Sequence, residues 1–286
     1  RRRVTFLVGE GEWCPAYLLM PEGLSSPAPA VLCLHQTVAQ GKREPVGLEG
    51  RSALGYAPLL AQHGFVVLAP DEFCAGERLA PGAKPYDTTA FYARHPEWSA
   101  MGKMLWDHQR ALDCLQTLDF VNPERLAVTG HSLGGHNAIF LAALDERIKA
   151  AVSSCGWSPF WADENPLRWA REKTEDFIYM PRLRPFFLEG REPPFQFSHL
   201  IGAIAPRAFL DLSGRGDECF AASDRCAEDL EQAAHVYALY GARGKLDWLL
   251  HEHGHSLPAV AWDRALHFLS AHTRPSCSVA PLWRAG

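Results

Sequence analysis

No apolar run in this chain approaches the roughly 18 residues needed to cross a bilayer, and no signal-peptide pattern opens it. A soluble protein is therefore expected. Asn-x-Ser/Thr sites are also missing, and none of the eight cysteines forms a Cys-x-x-Cys pair. Cys33 and Cys155 lie inside apolar, strand-like runs, where a reduced and buried thiol is expected. These features favour a cytoplasmic chain. A start on three arginines rather than methionine leaves export with a removed N-terminal segment as the alternative. The net charge of −5 is spread out, with no basic stripe beyond Arg1 to Arg3, which argues against nucleic acid as a partner. Internal repeats and low-complexity segments are absent too.

What is present is an alternation of strand-like and helix-like runs over 286 residues, enough for one sizeable core. Val4 to Val8 and Cys14 to Met20 read as an opening antiparallel hairpin. Ala30 to His35 is a continuous apolar run of strand length, as a strand covered on both faces requires. Tyr56 to His63 has helical spacing, Gly64 stops it, and Phe65 to Pro70 is the next strand. A long loop from Asp71 to Trp98 precedes a helix over about 99–118. Leu126 to Leu144 runs strand, turn, helix. Further strands fall at Ala150–Cys155, Ala208–Leu212 and Leu246–His251, and further helices at Cys226–Leu239 and Val260–Ser270. Such alternation predicts an α/β fold with a mostly parallel twisted sheet, helices on both faces, and ligands outside the carboxyl ends of the strands. We expect a single domain over 1–286, with 157–206, too long for an ordinary connection and dense in aromatics and arginines, as a cap-like insertion before the late strands.

The turn between the strand and helix of 126–144 reads Gly130-His131-Ser132-Leu133-Gly134. A serine forced into a tight strand-to-helix turn needs neighbours without a Cβ, and the turn lifts its hydroxyl above the sheet edge. A serine hydroxyl is a poor nucleophile at neutral pH, so Ser132 needs a histidine in reach and a group to hold that histidine's tautomer. Asp217, in Gly-Arg-Gly-Asp-Glu just past one late strand, and His255, in His-Gly-His-Ser just past the last, meet that demand in the required order.

With Leu34-His35-Gln36-Thr37 after the third strand, Gly130 to Gly134, and Gly254-His255 before the last helix, the chain resembles the α/β hydrolases of the dienelactone-hydrolase-like, acyl esterase group over nearly its whole length. The resemblance implies a Ser132, Asp217, His255 triad and hydrolysis of an acyl bond without a cofactor. The implied oxyanion hole takes one N–H from Leu133 and a second from Thr37, with Gln36 as second choice because the loop lacks a usual glycine. The expected activity is that of a serine esterase on a small-molecule ester. Amidase or peptidase action on the same triad, and a non-catalytic binding protein on the same scaffold, are the alternatives.

Competing roles remain for several residues. Glu218 stands beside Asp217 as a rival acid, whereas Asp211, inside its strand, should point into the sheet, and Asp71 reads as a structural loop residue. His251, His253 and His255 alternate as metal ligands on an extended segment could, but a strand end running into the histidine loop explains them, and no metal is expected. Trp157, Phe160, Trp161 and His131 are the candidates for substrate contact; His136 lines the pocket or only packs. Oligomeric state is not legible, which leaves room for a homodimer.

Overall fold

The computed structural model describes residues 1–172 and 177–273. Eight strands, β1 (Arg2–Gly9), β2 (Glu12–Leu19), β3 (Ala28–Leu34), β4 (Val66–Pro70), β5 (Val121–His131), β6 (Ile148–Ser154), β7 (Ala208–Gly214) and β8 (Leu246–His251), form one sheet in the order β1-β2-β4-β3-β5-β6-β7-β8. The first hairpin is antiparallel, and β2 meets β4 antiparallel; from β4 to β8 all pairs are parallel. The α-helices among the described residues are α1 (Ala57–Gln62), α2 (Thr89–Arg94), α3 (Ala100–Gln116), α4 (Leu133–Leu144), α5 (Arg184–Leu188), α6 (Phe197–Ile204), α7 (Cys226–Leu239) and α8 (Ala259–Thr273), with short 3-10 turns between them.

The period of two in a strand assigns the core. All seven residues of β3 are buried. Ala30, Leu32 and Leu34 face one core with residues of α3, α4, α6 and α7, while Val31 and Cys33 face the other with residues of α1 and α8. A central strand covered on both faces must be apolar on both, which is why this stretch shows no polar alternation. Three short helices were not anticipated: α2 lies inside the stretch expected to be loop, and α5 and α6 lie in the 157–206 segment. Each is eight residues or fewer, too short to leave a clear 3.6-residue pattern.

The chain passes from β3 to β4 on one side and then to β5 on the other, so the strand order reverses about β3. Loops diverge at such a reversal and leave a crevice outside the carboxyl ends of the two strands. The segment after β3 begins with His35, and β5 ends at His131, immediately before Ser132. Close packing joins the two: a Cβ on Gly134 would lie 2.2 Å from the Leu34 carbonyl oxygen, and one on Gly130 would lie 2.4 Å from the Gly134 carbonyl. Among the described residues no helix is long and apolar enough to cross a membrane.

Candidate active site

Ser132 sits at the entry to α4 with φ 54° and ψ −116°, a conformation that L-residues adopt only when the surroundings over-determine it. Its N–H donates to the Ser154 carbonyl (2.8 Å), and its own carbonyl accepts from the N–H groups of Gly135 (2.8 Å) and His136 (3.1 Å). Strand pairing thus grips one side of the turn and the first helical turn grips the other. Gly135, which the sequence motif does not require, also matters: a Cβ there would lie 2.8 Å from the Gly156 Cα.

Asp217 and His255 come from the loops after β7 and β8. The His255 Nδ1–H donates to Asp217 Oδ2 at 2.8 Å, and Asp217 Oδ1 accepts from the N–H groups of Cys219 (2.7 Å) and Phe220 (2.8 Å). Glu218 has a different task, its Oε2 accepting from the His255 backbone N–H at 3.3 Å. Of the adjacent acids, only Asp217 therefore meets the imidazole ring. Burial works against both charges here. It is outweighed for His255 by the hydrogen bond to Asp217, helped by the Cys219 thiol, and the imidazole is raised to about 9. For Asp217 burial is outweighed by the same His255 bond and by the two N–H donors, so its carboxyl falls below the ordinary carboxylate range.

His131 packs against His255, ring centroids 4.8 Å apart, with its Nδ1 2.9 Å from Ser154 Oγ. Burial and the neighbouring His255 push it down to about 3, so it is neutral at pH 7. Of the other candidate contacts, Phe160 meets the Trp169 ring edge-on at 5.7 Å. Trp157 is fully buried, its indole N–H committed to Asp211 (2.7 Å). Phe160 and Trp161 line a separate groove of about 570 Å³ with Gln196, His199 and Asp229, and the Trp161 indole N–H donates to Asp229 (2.8 Å). Of the rings that run away from His255, only His136 was among the residues weighed from the sequence. Phe220 contacts His255 (5.9 Å), Trp169 stacks on Phe220 (5.8 Å), His136 meets Trp169 edge-on (5.1 Å), and Tyr179 meets His136 (5.3 Å). The Thr37 side chain lies beside the Tyr179 hydroxyl and works against the burial that raises it. This file of side chains spans from the imidazole to the loop after β3. Aromatic density in 157–206 signalled packing, but nothing in a linear pattern distinguishes Trp169 from Trp157 or Trp161.

Thr37 is exposed, and Gln36 is buried with its side-chain amide on Glu44 (2.9 Å). Asp211 is buried in β7 and bonded to Trp157 and Ser213, and Asp71 accepts the N–H groups of Lys42 and Glu77 while pairing with the Lys42 ammonium. Both are structural in their contacts. His251 and His253 have ring centroids 6.1 Å apart. Among the described residues, the one group whose ligand atoms lie within 4.8 Å of one another is Cys155, Asp217 and His255. Two of these three are already spent on each other, a poor preformed cage for an ion.

The fold and the order of its loops define an α/β hydrolase. A profile described as "Glucuronyl esterase, fungi" matches residues 75–241, more than half of the chain. The chain belongs to that family of carboxylic-ester hydrolases. Among curated proteins it is 29% identical over 262 residues to YtaP of Bacillus subtilis (strain 168), named as a hydrolase by assignment, with 90% of this chain and 83% of that protein covered. Two solved structures share the fold. A glucuronoyl esterase from Solibacter usitatus has a TM-score of 0.70 at 19% identity, covering 94% of this chain and 81% of its own. A carbohydrate esterase family 15 glucuronoyl esterase from Caldicellulosiruptor kristjansonii has a TM-score of 0.66 at 17% identity, covering 95% and 78%.

Proposed function

We propose that the protein hydrolyses a carboxylic ester through a covalent acyl-enzyme on Ser132. His255 removes the hydroxyl proton, the serine oxygen attacks the ester carbon, and the oxyanion is met by the N–H groups of Leu133 and Thr37. Collapse expels the alcohol, which takes the proton from His255. Water then gives its proton to the same imidazole and attacks the acyl-enzyme, and the imidazolium returns a proton to the departing Ser132 oxygen as the acid is released. Asp217 holds the Nδ1–H tautomer and stabilises the imidazolium. The observation that carries this reading is the 2.8 Å Asp217–His255 bond in the loops after the last two strands, with a strained serine at the end of β5.

The substrate class in this reading is an ester of a hydroxylated sugar acid, a uronate. Family membership supports it, and so does the chemistry of the ring file. The His136 Nδ1–H donates to the Gly156 carbonyl (3.0 Å), and burial lowers the imidazole to about 4, so Nε2 is a bare lone pair at pH 7. That Nε2 and the Trp169 indole N–H are both buried with no hydrogen-bond partner among the described residues. One unmatched acceptor and one unmatched donor suit an acyl group carrying hydroxyls and disfavour an alkyl chain, which would leave both unsatisfied. The test compares benzyl glucuronate with benzyl cyclohexanecarboxylate in wild type and Ser132→Ala. Hydrolysis that prefers the uronate and vanishes in the variant supports both parts. A preference for the cyclohexane ester removes the substrate class, and survival of activity in Ser132→Ala removes the mechanism.

A further inference from the structure

Tyr86 is one of three non-glycine residues among those described whose backbone has positive φ, here 63°; Ser132 and Cys155 are the others. A bulky residue in that region is an outlier held by its surroundings, and such outliers concentrate at functional sites. The side chain is buried, its ring 5.0 Å from that of Phe177, and its N–H is tied to the Cys74 carbonyl at 2.7 Å. Its hydroxyl ends inside the loop after β3. The Tyr86 Oη accepts from the Val38 N–H (2.9 Å) and has two carbonyls in reach of its proton, Gln36 (2.9 Å) and Val38 (3.1 Å).

The Gln36 carbonyl is the point of most consequence. It also accepts from the Val38 N–H at 2.8 Å, which closes a three-residue γ-turn with Thr37 at its apex. It accepts a further bond from the His35 Nδ1–H at 2.7 Å, a tautomer fixed because His35 Nε2 accepts from the Glu72 N–H at 3.1 Å. The Gln36 carbonyl and the Thr37 N–H are opposite ends of one planar trans peptide. Anchoring the oxygen therefore fixes the direction of the hydrogen.

We infer that Tyr86 is a positioning residue for the oxyanion hole: its hydroxyl clamps the Gln36 and Val38 backbone so that the Thr37 N–H is aimed before substrate arrives. The inference rests on the serine mechanism proposed above. Its effect falls on the transition state, because an N–H aimed at the tetrahedral oxygen stabilises that species more than the ground-state carbonyl.

The experiment compares wild type, Tyr86→Phe, Tyr86→4-aminophenylalanine and Ser132→Ala on one ester, with melting temperature and affinity for a trifluoromethyl ketone measured on each. Tyr86→Phe is expected to lose about tenfold in kcat with KM within twofold, to lose ketone affinity by the same factor, and to leave the pH profile in place. The 4-amino group, which restores a donor to the Gln36 carbonyl, is expected to recover most of kcat. A wild-type kcat in Tyr86→Phe overturns the inference, and so does a fall in kcat with unchanged ketone affinity. Should Tyr86→Phe fail to fold, the amino variant decides alone, and a tenfold loss there counts against the clamp. Activity surviving in Ser132→Ala marks failure of the underlying mechanism instead, since the Tyr86 comparison does not produce that result.

Discussion

Asp217 and His255 share a 2.8 Å hydrogen bond in which the acid's second oxygen is already held by two backbone N–H groups. The carboxylate therefore cannot turn away from the ring without abandoning three bonds.

The first prediction is the pH dependence that this bond creates. A general base acts only when neutral, and His255 is raised to about 9, so kcat/KM should climb with pH through that value. Asp217→Asn is expected to move the inflection down toward the ordinary imidazole range and to cut kcat by roughly 10³ to 10⁴. The same pair sets a stability profile. Because the folded His255 pKa lies above the unfolded 6.5, its stabilisation is complete below 6.5 and is lost as pH rises through about 9. The Asp217 share has the opposite sense: present above the carboxylate's unfolded 3.8, it is lost as pH falls through the lowered folded value. Urea unfolding of wild type and Asp217→Asn across pH 5 to 10 checks this, the alkaline loss shrinking in the variant.

Asp211 predicts a slope opposite in sense to that of Asp217. Burial raises its carboxyl to about 6 against the opposing hydrogen bonds of Ser213 and Trp157. Between 3.8 and about 6 the unfolded chain releases a proton that the folded chain keeps, so folding stability should fall over that interval and then level off. Asp211→Asn keeps an acceptor for the Trp157 indole and should remove that decline, as denaturant titrations at pH 4, 5, 6 and 7 would record. An unaltered slope in the variant assigns the decline to other groups.

Replacing Trp169 with 3-benzothienylalanine keeps a bicyclic ring of the same shape and deletes only the indole N–H. If that N–H meets an acyl hydroxyl, kcat/KM for benzyl glucuronate should fall by about ten- to a hundredfold while that for benzyl cyclohexanecarboxylate changes less than twofold. Equal losses on both esters would assign Trp169 to packing alone.

How much of this was legible before the structure depends on how local each constraint is. The Gly130 to Gly134 turn could be read because its chemistry is contained in five residues between an apolar strand and an apolar helix. The mostly parallel sheet could be read because β3 to β8 alternate with helical runs. Asp217 could not be separated from Glu218, since neighbours in a loop differ only in where the backbone turns them. Trp157, Phe160 and Trp161 share one composition with Trp169, yet Asp211 claims the first, a separate groove the next two, and the Phe220 ring the last. Tyr86 left no pattern: its role arises from a positive φ and a loop fifty residues upstream.

The most direct test of the account is active-site titration with a fluorophosphonate, read by intact-protein and peptide mass spectrometry alongside ester hydrolysis. The account predicts one label per chain on Ser132, loss of activity in proportion to labelling, and neither label nor activity in Ser132→Ala. Esterase activity retained by a folded Ser132→Ala, or stoichiometric inactivation through a different residue, would contradict it.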